Sequence, residues 1–377
     1  MAFFLKKSRV ANRPDKPVGA GRYRLFLVVV TMGLSTGSVG AEQSIAEREG
    51  LEVDERRAIF VFINIRDKAD HHYTKQHVQE LREHLFSEGM SVDAIYNQSS
   101  FGQTRFLEEN VRTPEPITVE PYEGCPKKDY RIRAMEVLRS ELGIEAYDYQ
   151  HRFFIFPSGK TTKSECLFTA AGQVGSHGVE SSKAAWAKVH SVFTIAHEMG
   201  HNVGFNHAKS DRNNNGFNED EPSDRRYGDG SCIMGSTTGP KGFNSVHADQ
   251  AGWYDHLPAG TLVLLNKPLV TERVLLPLGR DPYREPGTQV IKLPRKSADG
   301  EFYYLSFRES AGVDTNLKSA FVGGVSIHRG RKKGKASYLI CTLKDQEIFR
   351  DAERGLVIRQ LSHSRNGVRI HVEFRHL

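Results

Sequence analysis

The chain has 377 residues, 38% hydrophobic and 26% charged, which excludes wholesale disorder and a coiled coil and allows about two domains. Its net charge of +6 would suit a nucleic-acid binder, but residues 1–41 carry seven Lys/Arg against one acid, Asp15, and from Glu42 onward 45 basic residues face 45 acidic ones. A chain that is neutral beyond residue 41 gives no ground for a nucleic-acid partner.

The basic stretch ends at Arg24 and an apolar run follows from Leu25 to Val39, closing on Val39-Gly40-Ala41. That order is a secretory signal peptide over residues 1–41, cleaved before Glu42. The run falls short of the roughly 20 residues a bilayer span needs, so no stable membrane insertion is expected after cleavage; the competing reading is an uncleaved membrane anchor. The protein is therefore expected to be secreted or periplasmic. In an exported chain the cysteines Cys125, Cys166, Cys232 and Cys341 read as two disulfides, with Cys125–Cys166 and Cys232–Cys341 the preferred pairing.

Ile59–Ile65 is a near-continuous apolar run, the pattern of a buried strand. Residues 74–88 place Val78, Leu81 and Leu85 at helical spacing, with Gly89 as a C-cap. Ser91–Tyr96 and the stretch from Arg105 to Val119 read as strands. Arg131–Leu142 reads as a helix with Met135, Leu138 and Leu142 on one face and Gly143 after it. Phe153–Phe156 is a strand stopped by Pro157. A third helix is expected over residues 184–203, its stripe formed by Val189, Val192, Phe193, Ala196 and Val203. From about Leu262 short β-rich runs alternate with turn residues, including Asn366-Gly367, a hairpin signal. Residues 260–377 hold 21 basic and 12 acidic residues, so a charge boundary falls near 258. The expected architecture is an α/β (α+β) domain over residues 42–258, with a mixed sheet and an active-site helix, then a smaller β-sandwich-like domain over residues 259–377. The basic run Arg329–Lys335 reads as a solvated hairpin tip.

Residues 197–207 read His-Glu-Met-Gly-His-Asn-Val-Gly-Phe-Asn-His. On a helix His197 and His201 lie one turn apart on one face, spaced for two imidazoles to meet one zinc ion. Glu198 is rotated about 100° from His197, beside the metal, where a general base belongs. Continuing the helix would carry His207 away, but Gly204 can end it and turn the chain back, so His207 becomes the third ligand. Three neutral histidines leave one tetrahedral position open, the mark of a catalytic zinc.

The run HExxHxxGxxH with a later methionine turn, here Cys232-Ile233-Met234-Gly235, resembles the metzincin zinc endopeptidases. More narrowly, Tyr227-Gly228-Asp229-Gly230-Ser231-Cys232-Ile233-Met234-Gly235, then Phe243-Asn244 and Gly252-Trp253, looks like the gametolysin family. The resemblance implies a metzincin-like fold, Met234 packed under the zinc without binding it, and an edge strand above the cleft, for which Phe168–Val174 is the candidate. Ala208 after His207 speaks against an adamalysin-like branch. Oxygen side chains at Asp211, Asn213, Asn215 and Glu219, with Gly216 at the sixth position, form a calcium-loop pattern, although Pro222 at the twelfth excludes a full EF-hand. The same segment also reads as a polar surface loop. The function expected is a secreted zinc endopeptidase acting on extracellular or cell-wall proteins. The competing reading is a binding or adhesion protein on the same zinc-containing scaffold. The sequence is silent on oligomeric state.

Overall fold

In the computed structural model, which describes residues 43–66, 72–121, 127–157, 169–177, 182–235, 239, 241–296, 300–334 and 336–375, helix α1 (Ile45–Glu49) and β1 (Asp54–Glu55) lead into β2 (Ala58–Ile65). All eight residues of β2 are buried, because the strand is covered on both faces. Ala58, Phe60 and Phe62 enter one core, and Ile59, Val61, Ile63 and Ile65 enter another. Helix α2 (Lys75–Phe86) buries Leu81 and Leu85, and α3 (Val92–Ser100) follows it. The segment from Ser91 to Tyr96, expected as a strand, is therefore helical. Ser91 caps its start through the Ala94 amide, and Val92, Ile95 and Tyr96 fall at helical spacing into the core.

Short strands β3 (Thr104–Arg105), β4 (Val111–Arg112) and β5 (Ile117–Val119) precede α4 (Lys127–Leu142). Leu138 is buried on α4, but Leu142, expected on the same face, is 43% exposed at the helix end. Next come β6 (His151–Ile155), β7 (Ala170–Gly172), β8 (Lys183–Ala187) and α5 (Val192–Val203). The expected helix over 184–203 thus divides. Ala184, Ala185 and Ala187 pack as a sheet strand, Val189 is exposed, and Ser191 starts the helix by accepting from the Thr194 amide. Strands β4, β2, β6 and β8 run parallel in one sheet, β5 also pairs with β2, and β7 closes the β8 side antiparallel. Helices α2, α3 and α5 cover one face and α4 the other.

After α5 come β9 (Ala208–Ser210) and α6 (Ser245–Gln250), then nine strands: β10 (Leu262–Leu264), β11 (Leu269–Leu275), β12 (Val290–Lys296), β13 (Glu301–Phe307), β14 (Val325–Arg331), β15 (Ser337–Leu343), β16 (Ile348–Asp351), β17 (Leu356–Ser364) and β18 (Gly367–Phe374). They form two sheets, ordered β10-β12-β13-β14-β15-β9 and β11-β18-β17-β16. Leu293, Leu305 and Ile327 of the first share a core with Leu275, Ile358 and Ile370 of the second. The Asn366-Gly367 signal marks the β17–β18 hairpin, with Ser364 opposite Gly367. Because β9 begins directly after His207 and pairs in parallel with β15, the regions on either side of residue 258 share one sheet. The basic run is only partly a tip: Arg329 is 6% exposed and paired with Asp211 and Glu301.

Candidate metal centre and its cleft

Helix α5 carries His197, Glu198 and His201 within a wholly buried stretch from Ile195 to Val203. At its end Gly204 takes a positive φ of 128°, and the Gly204 and Phe205 amides both donate to the Gly200 carbonyl. A side chain at Gly204 would be strained there and would also press on His177 N at 2.9 Å. The reversed chain brings His207 back, and the Nε2 atoms of His201 and His207 lie 3.1 Å apart. One ring nitrogen from each of His197, His201 and His207 falls within 4.8 Å of the others; among the described residues this is the group of His, Cys, Asp or Glu side chains that could hold a metal ion.

The nitrogens turned away from that point are fixed by backbone carbonyls. His197 Nδ1 donates to Ile233 O at 2.8 Å and His201 Nδ1 to Phe205 O at 2.8 Å. A carbonyl only accepts, so each Nδ1 bears the hydrogen and each Nε2 keeps its lone pair for a ligand role. Burial, reinforced by the neighbouring His201, pushes His197 down to about 3 and His207 down to about 4. Burial lowers His201 as well. The three rings are therefore neutral near pH 7, the form a metal requires.

Glu198 is 6% exposed and borders a cleft of 620 Å³ with His197, Thr194, Arg225, Arg226 and Tyr227. Strand β7 crosses directly over α5: a side chain at Gly172 would meet the Glu198 carbonyl at 2.7 Å and His201 Cβ at 2.9 Å. The crossing is held by the Gly175 amide, which donates to His201 O at 2.8 Å. Of the edge segment expected over Phe168–Val174, residues Ala170–Gly172 are strand and Phe168 lies outside the described residues. Beneath the helix Met234 is fully buried, and a side chain at Gly200 would strike its Sδ. Tyr227, the first residue of the run from Tyr227 to Gly235, sets its ring 4.1 Å from that of His207, tilted by 41°. Burial and the Glu198 charge raise its hydroxyl pKa, so it stays protonated.

One expectation needs correction. Cys232 and Cys341 are free thiols. Cys232 is fully buried, where its Sγ accepts from the Asn244 amide at 3.4 Å and lies 3.5 Å from His247 Nδ1, while Cys341 sits on β15 packed against the sandwich core. Cys125 and Cys166 lie outside the described residues, as does the segment over residues 1–41. In the expected calcium loop, the side chains of Asn213, Asn215 and Glu219 have partners within the protein. Glu219 turns to Arg226 in a bidentate pair, whereas the Asn213 and Asn215 amides both donate to Glu221.

Three neutral imidazoles converging next to a carboxylate in one cleft let a metal ion and a base act together on a bound peptide, which is metallopeptidase chemistry. The chain belongs to the gametolysin peptidase M11 family, whose pattern matches residues 78–346. No curated protein matches the sequence. A solved structure described as "Structure of a chaperone-substrate complex" is 13% identical, covering 49% of this chain and 28% of that chain at a TM-score of 0.25, and so slight a likeness carries no argument.

Proposed function

We propose that the protein is an exported zinc endopeptidase of metzincin type, with His197, His201 and His207 as zinc ligands and Glu198 as general base. The observation carrying this reading is the 3.1 Å approach of the His201 and His207 Nε2 atoms, whose partners on the far side of the His201 ring leave the lone pair facing in. Two ligands about 2.0–2.1 Å from a tetrahedral zinc stand about 3.3 Å apart, so the donor set fits. Zinc, when bound, supplies Lewis acidity, polarising a carbonyl and acidifying water. The Glu198 carboxylate takes a proton from water in the cleft and returns it to the departing amide nitrogen. An extended peptide aligns along β7 by strand addition, which sets its scissile bond above Glu198. Met234 packs under Gly200 and stays out of the ligand set. Residues 42–258 carry the chemistry in this reading, and residues 259–377 brace it. Removal of residues 1–41 leaves a secreted or periplasmic enzyme that acts on extracellular proteins.

The test compares Glu198→Gln and His207→Ala with the parent for bound zinc and cleavage of a mixed protein substrate. Glu198→Gln should keep one zinc per chain and lose about 10²–10⁴-fold in kcat, the usual worth of a general base. His207→Ala should lose zinc itself. A parent that is fully zinc-loaded yet cleaves no protein would overturn the peptidase reading and leave a binding protein on this scaffold.

A further inference from the structure

The loop that leaves β9 and returns to the cleft holds two buried carboxylates that the proposed reaction does not use. Its base is closed where the Ser210 amide donates to Arg225 O at 3.0 Å and the Arg225 amide donates to Ser210 Oγ at 3.2 Å. Asp211 is fully buried. Its Oδ2 accepts from Arg329 Nε at 2.7 Å and from the Gly216 amide at 3.2 Å, but its buried Oδ1 has no hydrogen-bond partner among the described residues. Asp224, 5% exposed, repeats the arrangement: Oδ2 accepts from the Asn218 amide at 2.8 Å, and Oδ1 has no partner among the described residues. Both carboxylates are thus pinned by amides of the same loop, each with one oxygen left over. A buried carboxylate oxygen that accepts nothing is costly, and two in one loop offer donor atoms to a cation.

The neighbouring amides are oriented to match. Asn213 Nδ2 and Asn215 Nδ2 donate to the Glu221 carboxylate at 3.0 and 3.1 Å, which holds the nitrogen ends and leaves both Oδ1 atoms as acceptors. We propose that this loop binds one calcium ion through Asp211, Asp224, Asn213 and Asn215, with Glu221 orienting the two asparagines. An all-oxygen set with two carboxylates suits a hard cation, and an irregular loop suits calcium better than the rigid octahedron magnesium demands. Asp224 replaces Glu219, whose carboxylate is taken by Arg226. The bound ion would fix both ends of the loop, one joined to His207 through β9 and the other leading through Arg225 to Tyr227 at the cleft.

The test is calcium titration of zinc-loaded, calcium-stripped protein, with free zinc held constant, read by calorimetry and by melting temperature. The parent should bind one calcium with a rise in Tm, since an ion that binds only the folded state stabilises it. Asp224→Asn should weaken calcium binding at least about tenfold, two carboxylates being the charge of the site. Asn213→Ala with Asn215→Ala should weaken it too; both side chains are exposed, so this variant folds even if Asp224→Asn does not. Glu219→Gln should bind like the parent. No heat and no Tm shift at millimolar calcium would overturn the proposal. So would unchanged binding in the asparagine variant, or loss of binding in Glu219→Gln.

Discussion

Between the two helix histidines, Gly200 is a packing requirement. Any side chain there would meet Met234 Sδ, and the turn carrying Met234 also supplies the Ile233 carbonyl that holds His197. Gly200→Ala should cost about 1–3 kcal/mol by overpacking. It should also weaken metal binding, because a displaced Ile233 no longer fixes the ring. Combining it with Met234→Ala should cost less than the sum of the two changes, since the residues are in contact; additive losses in a denaturant melt would rule out this contact. Cys232 in the same turn is a buried thiol whose pKa burial and the Asp229 charge push up to about 12, so it is unreactive in the fold. Thiol titration of unfolded, unreduced protein should find at least two free sulfhydryls, those of Cys232 and Cys341.

In the proposed reading, the relation of α5 to β7 decides whether an extended peptide can lie over Glu198. Gly172 allows the contact, and Asn202, fully buried on α5, donates through Nδ2 to Gln173 O at 2.9 Å and Ala184 O at 3.2 Å. A β-branched side chain at position 172 must lift the strand. Gly172→Val should nevertheless keep its metal, because His197 and His201 remain hydrogen-bonded to the Ile233 and Phe205 carbonyls. Its kcat/KM should fall by about 10²-fold, the scale of a misplacement near 1 Å. Metal content and peptide hydrolysis measured together check this, and parental kcat/KM would mean that β7 does not align the substrate. The N-cap Ser191 belongs to the same element, and losing it costs typically about 1 kcal/mol.

Across the whole molecule, residues far apart in sequence hold the turn under the site. Asp229, fully buried, accepts from His328 Nε2 at 2.9 Å, from the Ser231 amide at 2.9 Å and from Asn244 Nδ2 at 2.9 Å. Asn244 Nδ2 also reaches Ser337 Oγ at 2.7 Å, and Arg308 donates to Ser231 O. Burial alone would raise the Asp229 carboxyl, but the His328 charge and these hydrogen bonds hold it well below the ordinary carboxylate range. A carboxylate whose pKa is depressed by folding stabilises above its unfolded pKa of about 4 and loses that contribution as pH falls towards the folded value. Asp229→Asn should cost about 1–3 kcal/mol near neutrality, because the amide that replaces one carboxylate oxygen cannot accept from the buried donors around it. The Tm gap between parent and variant should narrow from about pH 7 to about pH 3; a gap independent of pH would show that the carboxylate's charge contributes nothing.

Local spacing determined much of this protein. The positions of His197, Glu198 and His201 on one helix follow from the helical repeat, the return of His207 from the glycine at 204, and the double burial of β2 from its unbroken apolar run. Those features depend on residues a few positions apart, so a reader of the chain can see them. The tertiary structure decided the rest. Apolar residues from Val92 to Tyr96 fit a strand or a helix, and the shared core with α5 made them helical. The alanines of β8 looked like helix because nothing local marks a strand that pairs with β6 and β7. Cys232 and Cys341 lie 109 positions apart, and only packing shows that they stay separate. Asp224 became a candidate ligand because burial left its Oδ1 without a partner, a fact about surroundings that spacing cannot carry. The brace of β9, Asp229 and His328 under the metal centre joins residues more than ninety positions apart, and such contacts arise only when the folded chain brings buried polar groups to one another.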